Sequence, residues 1–341
     1  MVELKTLHLD KTNLAQAASI LSSGGIVAIP TETVYGLAGN AFDPQAVKKI
    51  FSAKGRPSDN PLIVHISDIE EIYNVVSYFP PKAKKLAEKF WPGPLTMILP
   101  KNKNIPDEVT AGMDSVAVRF PSNEIAREII KEAGVPLVAP SANLSGTPSP
   151  TKFSHVVKDL DGKIDAIVDG GNCDIGVEST VISLLDENTP KLLRPGAVTP
   201  EDIEKTIGKI EIDKSVFQKI SPNQKVLSPG MKYRHYSPRA RVIMVKAPSE
   251  VFAKYVNFNH NSGVAALCLD EDIPYLKIPY ISYGSAKNSS EQARNIFDRL
   301  RQIDDSDIGL VYAHFFESDE MSMAVYNRLV RAAGFEIVDL M

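Results

Sequence analysis

Short apolar runs alternate with helix-patterned stretches along almost the whole of this 341-residue chain, and that alternation confines it to α/β architectures, in which helices cover a sheet. Leu14, Ala17, Ala18 and Leu21 share one face at helical spacing, Gly24-Gly25 stops that helix, and 26–29 reads as a buried strand. The rhythm predicts further strands at 62–66, 95–99, 116–120, 137–139, 166–168 and 180–185. It predicts helices at 44–53, 81–90, 123–133 and 200–207. In the last of these, Thr199 is a natural N-cap, with Pro200 at the first helical position and Asp202 near the positive end of the dipole. Residues 1–208 thus read as one α/β domain.

From 209 to 241 the periodicity fails and Pro222, Pro229, Gly230 and Pro238 collect, which marks a connector. Within it Met231, Lys232, Tyr233, Arg234, His235 and Tyr236 stand in a row, a mixture of cations and aromatics that a spacer does not need. Beyond it, apolar runs at 242–245, 264–269, 308–313 and 335–338 alternate with helical stretches near Val251 and at 291–303 and 324–333. That predicts a three-layer α/β domain over 242–341.

The formal charge of −4 is not the footprint of a generic nucleic-acid binder. It is unevenly spread: 1–208 carries a net −5, 209–241 a net +6 and 242–341 a net −5. Cys173 and Cys268 stand far apart without a CxxC pair, which excludes a disulfide framework and a zinc knuckle and suits a reducing compartment. The uncharged stretch 12–31 has the length of a membrane span, but its Asn, Gln, Ser and Gly content fits a helix followed by a strand better. The first ten residues lack the basic start and apolar run of a secretory signal, so the expectation is cytoplasmic, with no membrane partner.

Polar residues gather where strands end. Pro30-Thr31-Glu32-Thr33-Val34-Tyr35-Gly36-Leu37 follows a strand directly, at the place where open α/β sheets bind ligands, although a simple turn with local hydroxyl bonds is an equal reading. Lys54 and Arg56 flank Gly55 ahead of Pro57, two cations fixed in one place that suit an anion or, on the plainer reading, cap the preceding helix. Arg119 lies in the apolar run 116–120, where a guanidinium must be paired with a structural carboxylate or with an acidic ligand. Ser141, Asn143, Ser145, Gly146, Thr147 and Ser149 crowd a loop after another strand, offering donors to phosphate or ribose oxygens. The chain has no GxxxxGK[ST], GxGxxG, HExxH or GxSxG, which sets aside P-loop, dinucleotide, zinc-protease and serine-hydrolase chemistry. Lys, Arg, Ser, Thr and Asn at successive strand ends fit a polyanion plus a small zwitterion.

Together PTETVYGL at 30–37, Lys54-x-Arg56, NPLIVHI at 60–66, WPGPLT at 91–96, SVAVRFP at 115–121, Ser141-x-Asn143, GVEST at 176–180, LLRPG at 192–196 and SPGMKYRHYSP at 228–238 resemble the YrdC-type threonylcarbamoyl-AMP synthases. Specifically, they resemble the long Sua form. Outside these motifs, 209–227 and the last hundred residues match only in pattern.

The resemblance implies a YrdC-like twisted mixed-sheet catalytic domain over 1–208, an ordered linker and lid over 209–241, and a smaller three-layer Rossmann-like domain over 242–341. It implies a nucleotidyltransferase that converts L-threonine, bicarbonate and ATP, with Mg2+, to L-threonylcarbamoyl-AMP and pyrophosphate. The product would pass to a downstream tRNA threonylcarbamoyl transferase for tRNA threonylcarbamoyladenosine, with weak tRNA contact left open. By position, Lys54 and Arg56 would supply charge to the chemical step, while Thr33, His65, Arg119 and Ser179 would hold threonine. Arg56, Asn60, Ser115, Ala139, Ser141, Asn143, Ser149, Arg194, Lys232, Arg234 and Tyr236 would hold ATP, the last three as a lid. No side-chain metal set is implied, since Mg2+ would arrive with ATP. The competing readings are a double-stranded RNA-binding module, against which the acidic first domain argues, and a HypF-type carbamoyl-adenylating enzyme, whose acylphosphatase and zinc-finger regions are missing.

Overall fold

Period-two alternation decides which residues of each strand enter the core. In the strand Ser115–Arg119, Val116 and Val118 join Val64, Met97, Leu99, Ile182 and Leu192 in the main core. Ala117 turns the other way, into a small cluster with Ile63, Ile98, Val181 and Leu193. This separation gives the sheet a second, thinly covered apolar strip. A computed structural model describes residues 5–219, 236–319 and 321–341.

Among the described residues the first sheet has eleven strands, in the spatial order Leu7–Leu9, Ala166–Val168, Val27–Ile29, Gly36–Asn40, Leu137–Val138, Ile63–His65, Ser115–Arg119, Leu95–Pro100, Thr180–Ser183, Lys191–Arg194 and Glu211–Ile212. Its pairings are mixed: Ile63–His65 runs parallel to Ser115–Arg119 but antiparallel to Leu137–Val138. Helices Leu14–Ser22 and Glu124–Ala133 pack their apolar faces on one half of the sheet. The uncharged stretch 12–31 resolves into that first helix and the strand Val27–Ile29, and no helix among the described residues is long and apolar enough to cross a membrane.

Local chemistry sets the boundaries. Helix Pro44–Lys54 starts where the Asp43 side chain accepts from the Gln45 N–H at 2.8 Å and stops where Gly55 turns left-handed at φ 59°. Helix Pro200–Ile207 begins with the expected cap: Thr199 Oγ1 accepts from the Asp202 N–H and Asp202 Oδ2 accepts from the Thr199 N–H, both at 3.2 Å. Some elements escape the pattern. Gly36–Asn40 is a strand, so the 30–37 motif straddles a turn and the start of that strand, which pairs antiparallel with Val27–Ile29. Helix Phe153–Leu160 likewise has no counterpart among the predicted elements. The large sheet also continues past 208, because Glu211–Ile212 pairs parallel with Lys191–Leu192, and two residues are too few to show a period.

The C-terminal sheet is wholly parallel, in the order Tyr280–Ser282, Val264–Cys268, Leu310–Phe315, Arg241–Lys246 and Ile337–Asp339. Ile243, Val245, Ala266 and Tyr312 face helix Ser249–Phe258, while Val242, Met244, Leu267, Val311 and Ala313 face helices Ser289–Asp304 and Ser322–Ala332. That is the three-layer arrangement the alternation predicted.

Val34 and Val177 of the first domain belong to the second domain's apolar cluster, so the two bodies share a core. Gly176, at φ 83°, lies so close to helix Ser289–Asp304 that a Cβ there would sit 2.4 Å from the Arg294 Cα. Arg301 from that helix reaches into the first domain, donating to both carboxylate oxygens of Asp159 at 3.1 and 2.7 Å and to the Pro148 carbonyl at 2.6 Å. Both residues are buried. Removing one partner of a buried pair strands the other, at about 3–5 kcal/mol, whereas replacing both with apolar side chains is often close to neutral. Arg301→Met is therefore expected to lower the urea midpoint by that equivalent, and Arg301→Met with Asp159→Leu to recover most of it.

Candidate functional site

The Ile63–His65 and Ser115–Arg119 strands end side by side, with His65 in register with Arg119. Around these ends lies a cavity of about 60 Å³ lined by Thr33, Val34, Arg56, Leu62, Ile63, His65, Arg119, Ala139, Pro140, Ser141, Glu178, Ser179, Arg194 and Tyr236. Segments far apart in sequence meet here because their strands are neighbours. Gly36 lets the 139–141 turn approach, since a Cβ there would come 3.0 Å from Ala139 Cβ.

Arg119 has the structural partner that its apolar strand demanded. Its Nη2 lies 2.7 Å from Glu32 Oε1, Nη1 donates to Thr33 Oγ1 at 2.8 Å and Nε donates to the Gly93 carbonyl at 3.3 Å. Nε and Nη1 each donate one N–H to these acceptors, while Nη2 meets Glu32 as an ion pair that is not aligned as a hydrogen bond, so both terminal nitrogens keep N–H groups that suit a second carboxylate. Burial pushes the Glu32 carboxyl up, but the Arg119 guanidinium beside it outweighs burial and holds Glu32 below the usual carboxylate range. Sequence analysis gave Glu32 no role; its place in the 30–37 motif was the available signal.

His65 is buried beside this pair. Burial, then the Arg119 charge, pull its pKa down to about 3, so the imidazole is neutral at ordinary pH. Its Nδ1 meets the Ile63 carbonyl at 3.2 Å, which makes that nitrogen the N–H and leaves the lone pair on Nε2. Ser179 Oγ is held by Thr96 Oγ1 at 2.7 Å and by Arg194 Nη2 at 3.1 Å, and Arg194 Nε also donates to the Ser179 carbonyl at 2.9 Å. Among the described residues no base touches that hydroxyl, and none of them supports a serine-nucleophile chemistry. Burial pushes the Cys173 and Cys268 thiols up to about 12, which removes them as nucleophiles.

Lys54 is placed differently from the cation expected to face an anion. It is 2% exposed, and its ammonium donates to the Ser141 carbonyl, to the Asn143 carbonyl at 2.6 Å and to Asn143 Oδ1 at 3.3 Å. Three N–H groups are thereby matched to three acceptors of one loop, and Lys54 does not line the cavity. Burial, then the charge of Arg56, hold its pKa well below the usual lysine value. Asn143 is a staple of the same loop, its Nδ2 donating to the carbonyls of Leu144 at 2.9 Å and Thr147 at 2.8 Å. Ser149 also stands behind the wall, donating to Glu178 Oε1.

Arg56 lines the cavity and donates to the Asn60 and Pro61 carbonyls at 3.4 and 3.2 Å. Next to it the Asn60 amide is 1% exposed, and neither Oδ1 nor Nδ2 has a hydrogen-bond partner among the described residues. Such a group is costly to leave unmade. Ser115 alternates onto the same sheet face as Ala117 and Arg119, two rungs past the cavity along the apolar strip of Ile63, Ile98, Val181 and Leu193. From the connector, Tyr236 lines the cavity, while Lys232 and Arg234 lie outside the described residues.

The lining carries three guanidiniums, Arg56, Arg119 and Arg194, against one carboxylate, Glu178, and a neutral imidazole. This surplus of positive charge, beside an apolar strip, suits an anion. No group of three or more His, Cys, Asp or Glu among the described residues could hold a metal ion.

Residues 19–196 match the family model described as "Telomere recombination", and residues 198–334 match that for the C-terminal domain of threonylcarbamoyl-AMP synthase. The chain is 45% identical over 336 residues to the threonylcarbamoyl-AMP synthase of Bacillus subtilis (strain 168), covering 97% of this chain and 96% of that one. It is 44% identical over 340 residues to the synthase of Pyrococcus abyssi (strain GE5 / Orsay), covering 97% of each. The crystal structure of P. abyssi Sua5 complexed with L-threonine superposes with a TM-score of 0.88 at 42% identity, over 98% of this chain and 99% of that one. With both of its domains matched along almost their full length, the chain belongs to the threonylcarbamoyl-AMP synthase family.

Proposed function

We propose that this chain joins L-threonine, bicarbonate and ATP into L-threonylcarbamoyl-AMP with release of pyrophosphate, the adenylate then serving a downstream tRNA threonylcarbamoyl transferase. The observation that carries this reading is the pairing of an arginine-rich cavity, whose imidazole is neutral, with an apolar strip on the same sheet face. Threonine's carboxylate takes N–H groups of the two terminal nitrogens of Arg119, with Thr33, Ser179 and the lone pair of neutral His65 as polar neighbours. Once the threonine ammonium has lost a proton to solvent and the free amine has condensed with bicarbonate, the new N–C bond forming as one oxygen leaves as water, the carbamate is an anion. Its oxygen attacks the α-phosphorus, and the bond from that phosphorus to the bridging oxygen breaks as pyrophosphate leaves. An anion attacking a polyanion needs fixed positive charge and placement more than a proton shuttle, and Arg56 and Arg194 supply that charge.

The base of ATP lies along Ile63, Ala117, Ile98, Val181 and Leu193, with the unmatched Asn60 amide, Ser115 and the backbone of Ala139 at its margins. Magnesium enters as part of the MgATP substrate. Ser141, Asn143 and Ser149 shape the phosphate wall, and Lys54 acts through that loop by pinning it. The cavity of about 60 Å³ is less than half of the ~150 Å³ that admits benzene, so nucleotide entry requires the wall that includes Tyr236 to open. Closure then keeps water from a labile acyl adenylate.

Pyrophosphate release measured with threonine or bicarbonate omitted in turn tests the reading. Release is expected only with both present, and release indifferent to threonine would refute it. Arg119→Lys keeps the charge but not the fork, and losing one charge-assisted hydrogen bond of roughly 1.5–3 kcal/mol raises the threonine KM about ten- to a hundredfold; an unchanged KM would remove Arg119 from the carboxylate.

His65 gives a pH prediction. Between its ordinary value of 6.5 and its folded value of about 3, the unfolded chain binds a proton that the folded chain does not. Its contribution to stability is therefore complete above pH 6.5 and falls by about 1.4 kcal/mol per unit as pH drops below it. His65→Gln is expected to flatten the stability profile from pH 6.5 to 4.5 in urea titrations.

A further inference from the structure

Helix Ser322–Ala332 is buried along most of its length, pressed between its own sheet and the first domain. Arg328, at its centre, is 0% exposed. Its Nε donates to Glu178 Oε2 at 2.9 Å, its Nη2 to the Glu178 carbonyl at 2.9 Å and its Nη1 to the Pro195 carbonyl at 2.6 Å. Glu178 immediately precedes Ser179, and Pro195 immediately follows Arg194, the two residues that hydrogen-bond each other in the cavity wall. The same guanidinium lies 5.9 Å from the ring centroid of Tyr236, another lining residue. Arg328 itself does not line the cavity.

A cation needed solely to offset the buried Glu178 carboxylate would require one ionic contact. Here two of the four hydrogen bonds among the described residues go to backbone carbonyls of two different loops, the fourth being a long one to the neighbouring Asn327 Oδ1 at 3.4 Å, and the planar fork fixes their direction as well as their distance. We propose that Arg328 is a positioning residue of the synthase reaction, holding the Ser179 and Arg194 loops in register so that the C-terminal domain completes the first domain's site. The inference rests on the reading of the cavity as the threonine and nucleotide site.

The test uses the full chain with Arg328→Lys, which keeps a buried charge but cannot span Glu178 and Pro195 from a single nitrogen. Hydrogen exchange in 176–180 and 193–196 is expected to quicken on the order of tenfold, while the strands Gly36–Asn40 and Val264–Cys268 exchange as in the parent. The threonine KM rises about tenfold with kcat nearly unchanged, as for a loosened binding wall. Parent-like exchange in both loops, or exchange that quickens equally in every strand, would overturn the proposal, the latter by showing a role in stability alone. Should Arg328→Lys not fold, Glu178→Gln, which removes the ion pair while leaving the Pro195 bond, is read in the same way. If the parent protein itself releases no pyrophosphate in response to threonine, the reaction assignment fails, and loop exchange still decides whether Arg328 positions the wall.

Discussion

Glu178 is a carboxylate taken out of water, and the site depends on how that cost is met. Burial pushes its carboxyl up, but Arg328, Arg194 and the Ser149 hydroxyl together outweigh burial and hold it below the usual range. Two of these groups bond the carboxylate directly and tie a different piece of chain to it, the 141–149 loop through Ser149 and the second domain through Arg328, while Arg194 holds the 192–196 segment to the neighbouring Ser179. An unpaired charge at this depth would be prohibitive, so the junction forms whole. The second domain is thus part of the architecture of the first, consistent with the shared apolar cluster that includes Val34 and Val177.

A second buried pair, Glu32 with Arg119, does different work. It offsets the charge of a guanidinium that would be untenable alone on an apolar strand, while the cation still lines the cavity. The same positive field, added to desolvation, keeps His65 neutral. The result is a pocket with surplus positive charge and no strong base, suited to gathering anions.

Much of this was legible in the sequence. The helix faces and the three-layer C-terminal domain followed from periodicity, the Thr199 cap from residue type, and Arg119 stood out as a cation in an apolar run, while the roles expected of Thr33, His65, Ser179 and Arg194 came from the family resemblance. Lys54 was misjudged in direction: its position at a helix end allows it to face outward or inward, and the carbonyls of Ser141 and Asn143 that capture it belong to a loop almost ninety residues away. Arg328 carried no signal at all, because a cation on an amphipathic helix ordinarily marks the solvated side.

The sequence by itself determined the elements, their faces and the chemical character of the strand ends, since these depend on local spacing and backbone stereochemistry. Tertiary structure alone decided which charges became partners. Glu32 with Arg119, Glu178 with Arg328 and Asp159 with Arg301 are each separated by more than eighty positions. Burial makes the choice of a partner for each charge a property of the assembled fold.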